Sequence, residues 1–257
     1  MRRYVFEEPV SRPALWSRRL ALFALAVLVV AVLTFRLGTQ SLQAMTPMVS
    51  GIFLAAIAAL LAVLAFVRIW VTGHKGVGLA LQGFFLALLL LAPLGWLAVQ
   101  SVRLPVLNDV STDVDEPPAF SRSRLVQAAR NGRVPPEVSS EIRRKQRVSY
   151  PRVLPVILDV PPEEAFDLAR RATISLRWQV IEMVPPGGRS GAGRIEASDR
   201  TRILRFVDDI TIRIRPRADG SRIDIRSASR LGSHDFGANA KRILAFTDEV
   251  NALLAAK

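Results

Sequence analysis

Three long apolar runs lie before Leu107, at about Leu15–Phe35, Met48–Val71 and Val77–Val99, and no comparable run follows. Each is close to the ~20 residues that cross ~30 Å of hydrocarbon at ~1.5 Å per residue. The pattern predicts three transmembrane helices. No charge interrupts Leu20 to Phe35, and a self-bonded helix is the form in which such a segment faces lipid. A cleaved signal sequence has an apolar stretch of only about 7–15 residues, so the first run is read as a retained anchor.

Beyond Leu107 the pattern shortens, and three parts are expected: an anchor over 1–107, an extended polar and basic linker over 108–149, and an α+β domain over 150–257. Within the linker, Asn108–Phe120 (NDVSTDVDEPPAF) is extended, Ser121–Arg130 is a short helix stopped by Asn131-Gly132, and Arg143, Arg144, Lys145 and Arg147 form a basic run. That run is either a solvated face or an attraction to anionic lipid head groups.

The folded part starts at Tyr150. Val153–Val160 is β-branched and apolar, and Pro161-Pro162-Glu163-Glu164 opens a helix with proline and acids in its first turn, as missing donors and the macrodipole favour. Trp178–Val184 and Arg194–Ser198 read as strands separated by a glycine-rich loop, Pro185–Gly193. That loop lacks the Lys-Ser/Thr helix start of a phosphate cradle. Two further strands follow, then a helix carrying Phe236, Ala240, Ile243, Thr247, Val250 and Leu254 on one face, with Ser233 or Asp235 as its cap. The order is β-α-β-β-β-β-α: a small antiparallel sheet with two helices packed on one side.

The last two strands carry the most information. Asp219-Gly220 between alternating runs is a two-residue hairpin pattern. With those two residues as the loop, Ile214, Ile212 and Ile210 face Ile225, Ser227 and Ser229 on the core side. On the other side Arg215 faces Asp224, Thr211 faces Ala228 and Asp209 faces Arg230. Arg213 then lies opposite Arg226, a like-charge pair that calls for an anion from a neighbouring carboxylate or a bound ligand. Asp208 falls on the core side, so a bulge at Asp208-Asp209 is expected to redirect it.

Charge adds orientation. The 257 residues hold 35 basic and 22 acidic side chains and no Cys, which excludes disulfides and thiolate chemistry. Arg2, Arg3, Arg12, Arg18 and Arg19 precede the first run, and Arg68 and Lys75 flank the second loop, so the positive-inside rule places the amino terminus in the cytoplasm. Three crossings then put the carboxyl-terminal domain outside, in the periplasm of a bacterial inner membrane. Trp16, Trp70 and Trp96 sit near span ends as interfacial anchors. Gln82 is the strongly polar side chain deep in a span, and Pro93 with Gly95 can bend the third helix. No charged pair inside a span points to an ion pathway. Gly51, Ala55, Ala58 and Ala62 recur at helical spacing, a packing seam or the chance product of alanine-rich composition.

YPRVLPVILDVPPEEAFDLARRA, RFVDDITIRI and DIRSASRLGSHDFGANAKRI resemble an uncharacterised bacterial and plastid family known as domain of unknown function fourteen ninety-nine. NDVSTDVDEPPAF resembles its leading segment, so the resemblance covers about Asn108–Leu254. It implies a membrane or envelope setting and no established reaction. The positions that match its pattern are Asp208, Asp209, Arg213, Asp224, Arg226, Ser227, Ser229, Arg230, Gly232, Asp235, Gly237, Asn239 and Arg242.

Three functional classes compete. A Ser-His-Asp triad would have to combine Ser227 or Ser229 with His234 and Asp235, and those serines point to the core. Asp208 and Asp209 project to opposite faces of a strand and form no dyad. No metal-ligand spacing appears and no cofactor is implied. Nucleic acid is a poor partner because aromatics are not interleaved with a basic stripe. The favoured class is a membrane-tethered binding or assembly module that recognises an anionic envelope component, such as a lipid head group, or a partner protein. Arg213, Arg226, Arg230 and Arg242 would hold the charge, and Asp208, Asp209, Asp224, Ser227, Ser229, Asp235 and Asn239 would orient them. The rival account makes the same set an internal ion-pair network that closes the last helix onto the sheet.

Overall fold

The computed structural model describes residues 9–37, 45–188, 191–201 and 203–256, so Arg2 and Arg3 lie outside the described residues. Two compact units, 1–99 and 100–257, divide the chain.

In the first unit the apolar runs form α1 (Arg12–Arg36), α2 (Met45–Thr72) and α3 (Val77–Arg103), each long and apolar enough to cross a membrane. Lipid gives helices no hydrophobic reason to associate, so close approach through small residues must do it. α1 is the hub, burying Ala14, Ser17, Ala21, Ala24 and Ala31. Against it α2 buries Gly51, Ala55, Ala58 and Ala62, so the stripe seen in the sequence is a packing seam and not a product of composition. From α3 come Ala80, Gly83 and Ala87. Ser17 Oγ donates to Ala58 O at 2.9 Å, and a Cβ at Gly83 would come within 2.8 Å of Arg18 N.

Gly83 therefore fixes the depth of its neighbour Gln82, which is exposed at the level of Ser17 and Arg18. This corrects the expectation of a polar group deep in the span: Gln82 lies at the basic end of the bundle. α3 runs on through Pro93.

In the second unit one six-stranded sheet carries the fold. Its strands are β1 (Asp109–Ser111), β2 (Val156–Leu158), β3 (Gln179–Val184), β4 (Gly193–Arg200), β5 (Val207–Arg217) and β6 (Gly220–Ser229), with helices α4 (Arg124–Ala129), α5 (Ser140–Ser149), α6 (Pro162–Ser175) and α7 (Ala238–Ala255). The order across the sheet is β1-β6-β5-β4-β3, all antiparallel, and β2 also pairs with β6. Both β1 and β2 thus lie end to end on the outer edge of β6.

Period-two alternation sorts the two faces. On one, Ile195, Ala197, Ile210, Ile212, Ile214, Ile223 and Ile225 pack with Leu168 and Ala169 of α6 and Ile243 and Phe246 of α7. Trp178 stacks on Phe246 with ring centroids 5.7 Å apart. This is the expected α+β arrangement with two helices on one side.

Three details differ. The hairpin turn is Ala218-Asp219, because Arg217 pairs with Gly220. Only Gly220 there has positive φ (133°), whereas a type I′ turn needs it at both central residues. The register moves by two residues, which preserves every face and changes every partner: Ile214, Ile212 and Ile210 pair with Ile223, Ile225 and Ser227. Residues 108–149 are not an extended linker. They supply β1, α4 and α5, and they cover the second face of the sheet, because that face is charged and needs partners. Finally, Phe236 (φ 51°) precedes α7 and is not part of it.

Candidate functional site

The covered face is a layer of ion pairs. β5 and β6 contribute Asp209, Thr211, Arg213, Arg215, Arg222, Asp224 and Arg226, Arg230 follows directly after β6, β4 contributes Glu196, and the overlying strap, residues 108–149, contributes Asp109, Asp113, Glu116 and Arg130. Arg226 Nη2 donates to Asp109 Oδ2 at 2.6 Å and Nε to Asp109 Oδ1 at 2.9 Å, a bidentate fork of the kind that fits guanidinium to carboxylate. Arg230 makes the same fork on Asp209, with Nη2 donating at 2.7 Å. Phe120 lies beside both Arg130 and Arg226, 4.3 and 4.9 Å from ring centroid to guanidinium carbon.

The register shift relocates the expected like-charge contact. Arg213 pairs with Asp224, and Arg215 pairs with Arg222. The required anions come from the protein: Asp224 and Asp113 each lie within 3.1 Å of Arg213, Arg215 and Arg222. Arg215 Nη1 also donates to Glu116 Oε2 at 3.0 Å. The pairs Arg215–Asp224 and Arg230–Asp209 expected from the sequence both exist, now as diagonal neighbours. Burial pushes the Asp113 carboxyl up, but the Glu116 N–H and the guanidinium groups of Arg222, Arg213 and Arg215 outweigh it and hold it below its usual value.

Glu196 is fully buried and accepts from Ser121 N (2.6 Å), Arg130 Nη2 (2.6 Å) and Thr211 Oγ1 (3.1 Å). Desolvation still leaves its carboxyl above the ordinary range, against the pull of Arg130.

On the helix side, Asp208 stays inside the domain. No bulge redirects it; the ladders of β5 run regularly through Asp208-Asp209, and the bulge lies at Val180/Glu182 of β3. The reason is that Arg242 of α7 reaches it, Nη2 donating to Asp208 Oδ2 at 2.6 Å and Nε to Asp199 Oδ2 at 2.9 Å. Burial nevertheless raises the Asp208 carboxyl above its ordinary value. Asn239 Oδ1 accepts from Ser227 Oγ (2.7 Å) and Arg242 Nη1 (2.8 Å), while its Nδ2 donates to Ser229 Oγ (2.9 Å).

A profile of the family described as a protein of unknown function, DUF1499, matches residues 109–250. The match starts at β1 and spans just over half the chain. The chain belongs to the DUF1499 family. Comparisons with curated proteins and with solved structures each return no match.

The boundaries of the DUF1499 domain make the strap an integral part of it. The residues that a triad would need have other partners: Ser227 donates to Asn239, Ser229 accepts from Asn239 Nδ2, the His234 ring stacks on Phe236 with Nδ1 accepting from Phe236 N, and Asp235 accepts from Gly237 N and Asn239 N at the start of α7. The N-cap position itself is Gly237, in the left-handed region, and not Ser233 or Asp235 as expected; Asp235 serves the helix start from two residues upstream. Among the described residues no cluster of three or more His, Asp or Glu is arranged to hold a metal.

Sequence reasoning missed Asp109, Asp113, Glu116, Arg130 and Glu196. A usable clue was present: the acidic run from Asp109 to Glu116 complements the arginines of β5 and β6, and Glu196 alternates onto their face.

Proposed function

We propose that this DUF1499 protein is a membrane-tethered assembly module whose arginine-rich sheet face binds its own strap, not an anionic envelope ligand. The observation that carries this reading is that Arg213 and Arg226 end on the strap carboxylates Asp113 and Asp109 within 3.1 Å, while Arg230 and Arg242 end on Asp209 and Asp208 of β5. Such pairs are desolvated, and removal of one partner leaves an uncompensated charge. A rigid domain of this kind presents its outer surface to an envelope protein partner.

The location we propose is a bacterial inner membrane with the amino terminus cytoplasmic and the domain periplasmic. Support comes from the bundle: Ser11 N donates to Lys75 O at 2.9 Å and Lys75 N to Pro9 O at 3.3 Å. These contacts gather Arg12, Arg18, Arg19, Arg68 and Lys75 toward one end, as the positive-inside rule requires of a cytoplasmic side. The chain has no Cys, so single cysteines at Lys75 and Lys241 report sidedness without background. Labelling of Lys241→Cys from the cytoplasm would reverse the placement.

The functional test uses the full chain in nanodiscs. Arg226→Ala is expected to open the strap to protease, while added phosphate or phosphatidylglycerol, at matched ionic strength, leaves the wild-type unfolding transition where it was. A phosphate- or lipid-dependent stabilisation that disappears in Arg226→Ala would instead restore the anionic-ligand reading.

A further inference from the structure

Above the ion-pair layer the strap does not seat fully. The stretch Arg133–Val138 bridges two hollows of about 390 and 320 Å³, and Val134, Pro135, Glu137 and Val138 line both. Its ties to the sheet are long: Arg226 Nη2 to Pro136 O at 3.4 Å and Arg133 Nη1 to Arg230 O at 3.3 Å. Arg133, Val134, Pro136 and Glu137 are exposed.

The floor of the larger hollow is built on Ala228. Asp109 and Asp209 are its direct neighbours on β1 and β5, and Arg226 and Arg230 stand two residues either side of it on the same face. Positive and negative groups alternate around a methyl group, already joined as Arg226–Asp109 and Arg230–Asp209.

We propose that this hollow, roofed by Arg133–Val138, binds a neutral polyhydroxylated ligand, a saccharide unit. The volume falls in the range of small-molecule sites, which runs from about 300 Å³ upward. The larger hollow is lined by Arg133 and Arg230 and by Asp109, Asp209 and Glu137, and its two aspartates are already held by Arg226 and Arg230, so an anion or a cation would have to part an existing pair. A purely apolar ligand would strip water from the ion pairs and return no hydrogen bond. A hydroxyl both donates and accepts, so it can bond the free lone pairs of a carboxylate and the outer N–H groups of its guanidinium partner without parting them. Arg230 supports this: Nε and Nη2 are spent on Asp209, leaving Nη1 for a ligand. The ring carbons of a sugar would meet Val134, Pro135, Pro136 and Ile142.

The proposal rests on the ion-pair layer remaining closed, and its test separates the two. With the full chain in nanodiscs, saturation-transfer NMR is recorded on glucose and on N-acetylglucosamine, with inorganic phosphate as competitor. Saturation of the sugar ring protons is expected, unaffected by phosphate and reduced about tenfold in Ala228→Leu, whose side chain would fill the floor. Val134→Trp, at an exposed roof position, is expected to do the same without touching the floor. Strap resistance to protease is followed in each variant, since it reports the ion-pair layer alone. Absence of saturation with both sugars, saturation that neither variant lowers, or displacement by phosphate would each overturn the proposal, while a protease-resistant strap would leave the assembly reading standing.

Discussion

Arg130 Nη2 lies 2.6 Å from Glu196 Oε2, and the two side chains are 2% and 0% exposed. A guanidinium from the residue that ends α4 and a carboxylate from the middle of β4 thus meet out of reach of water. Arg130 Nε also lies 3.3 Å from Asp209 Oδ1. Because both ions have already been desolvated, Arg130→Ala is expected to cost about 3–5 kcal/mol. Chemical denaturation of the full chain should show this, together with faster hydrogen exchange over 121–133. The double variant Arg130→Met with Glu196→Leu should recover part of the loss.

Acid should loosen the strap before it melts the helical side. Asp113 is held low as described, and Glu182 is held low by the Ser123 hydroxyl, helped by Ser121 and Arg194, against burial. A carboxyl whose folded value lies below its unfolded one, about 3.9 for Asp and 4.3 for Glu, contributes stability above that unfolded value and loses it as pH falls through the folded one. Glu196 and Asp208 run the other way: raised by burial, their contribution is present below the unfolded value and is lost as pH rises through the folded one. Protection factors at Asp113–Glu116 should therefore drop below about pH 4 while those of α7 persist; equal loss in both would contradict the assignment.

Asn239 is fully buried and closes four hydrogen bonds, to Ser227, Ser229, Arg242 and the Asn108 carbonyl. Asn239→Ala strands several of those partners, and each buried unsatisfied group costs about 1–3 kcal/mol. A lowered denaturation midpoint with unchanged membrane insertion is the expected result.

The bundle offers an internal control. At Gly83 a Cβ would press on Arg18 N (2.8 Å) and Ser17 C (2.9 Å), whereas at Gly78 nothing lies within 4 Å. Gly83→Ala should weaken the α1–α3 contact, read as increased crosslinking heterogeneity or lower thermal stability in detergent, and Gly78→Ala should be silent.

The anchor, the helices and most strands were legible in the sequence because each writes a simple period: about twenty apolar residues, 3.6, or 2. The faces of β5 and β6 were legible too, since a two-residue slip conserves parity. What was hidden depends on long-range meetings. Asp109 reaches Arg226 across more than a hundred positions, so local pattern shows the demand for an anion at the arginine face but not its supplier. The three-residue strand β1 is too short to display alternation, whereas β2 falls inside the apolar run Val153–Val160, and α5 reads as a polar run because only Gln146 of its length is buried. Asp208 was misjudged because its partner, Arg242, arrives from a different element.

β6 takes β1 on one stretch of its outer edge and β2 on the next. The strap consequently departs from a strand and returns to that same strand, like the handle of a cup. Spacing between its two roots is set by β6 alone, and Asp113, Ser121 and Arg130 pin the first half of the handle to the sheet, so length can change at the weakly tied stretch Arg133–Val138 while the vessel keeps its shape. Variation within the family is then expected to concentrate at Arg133–Val138, and an insertion there should be tolerated where the same insertion into β5 would not.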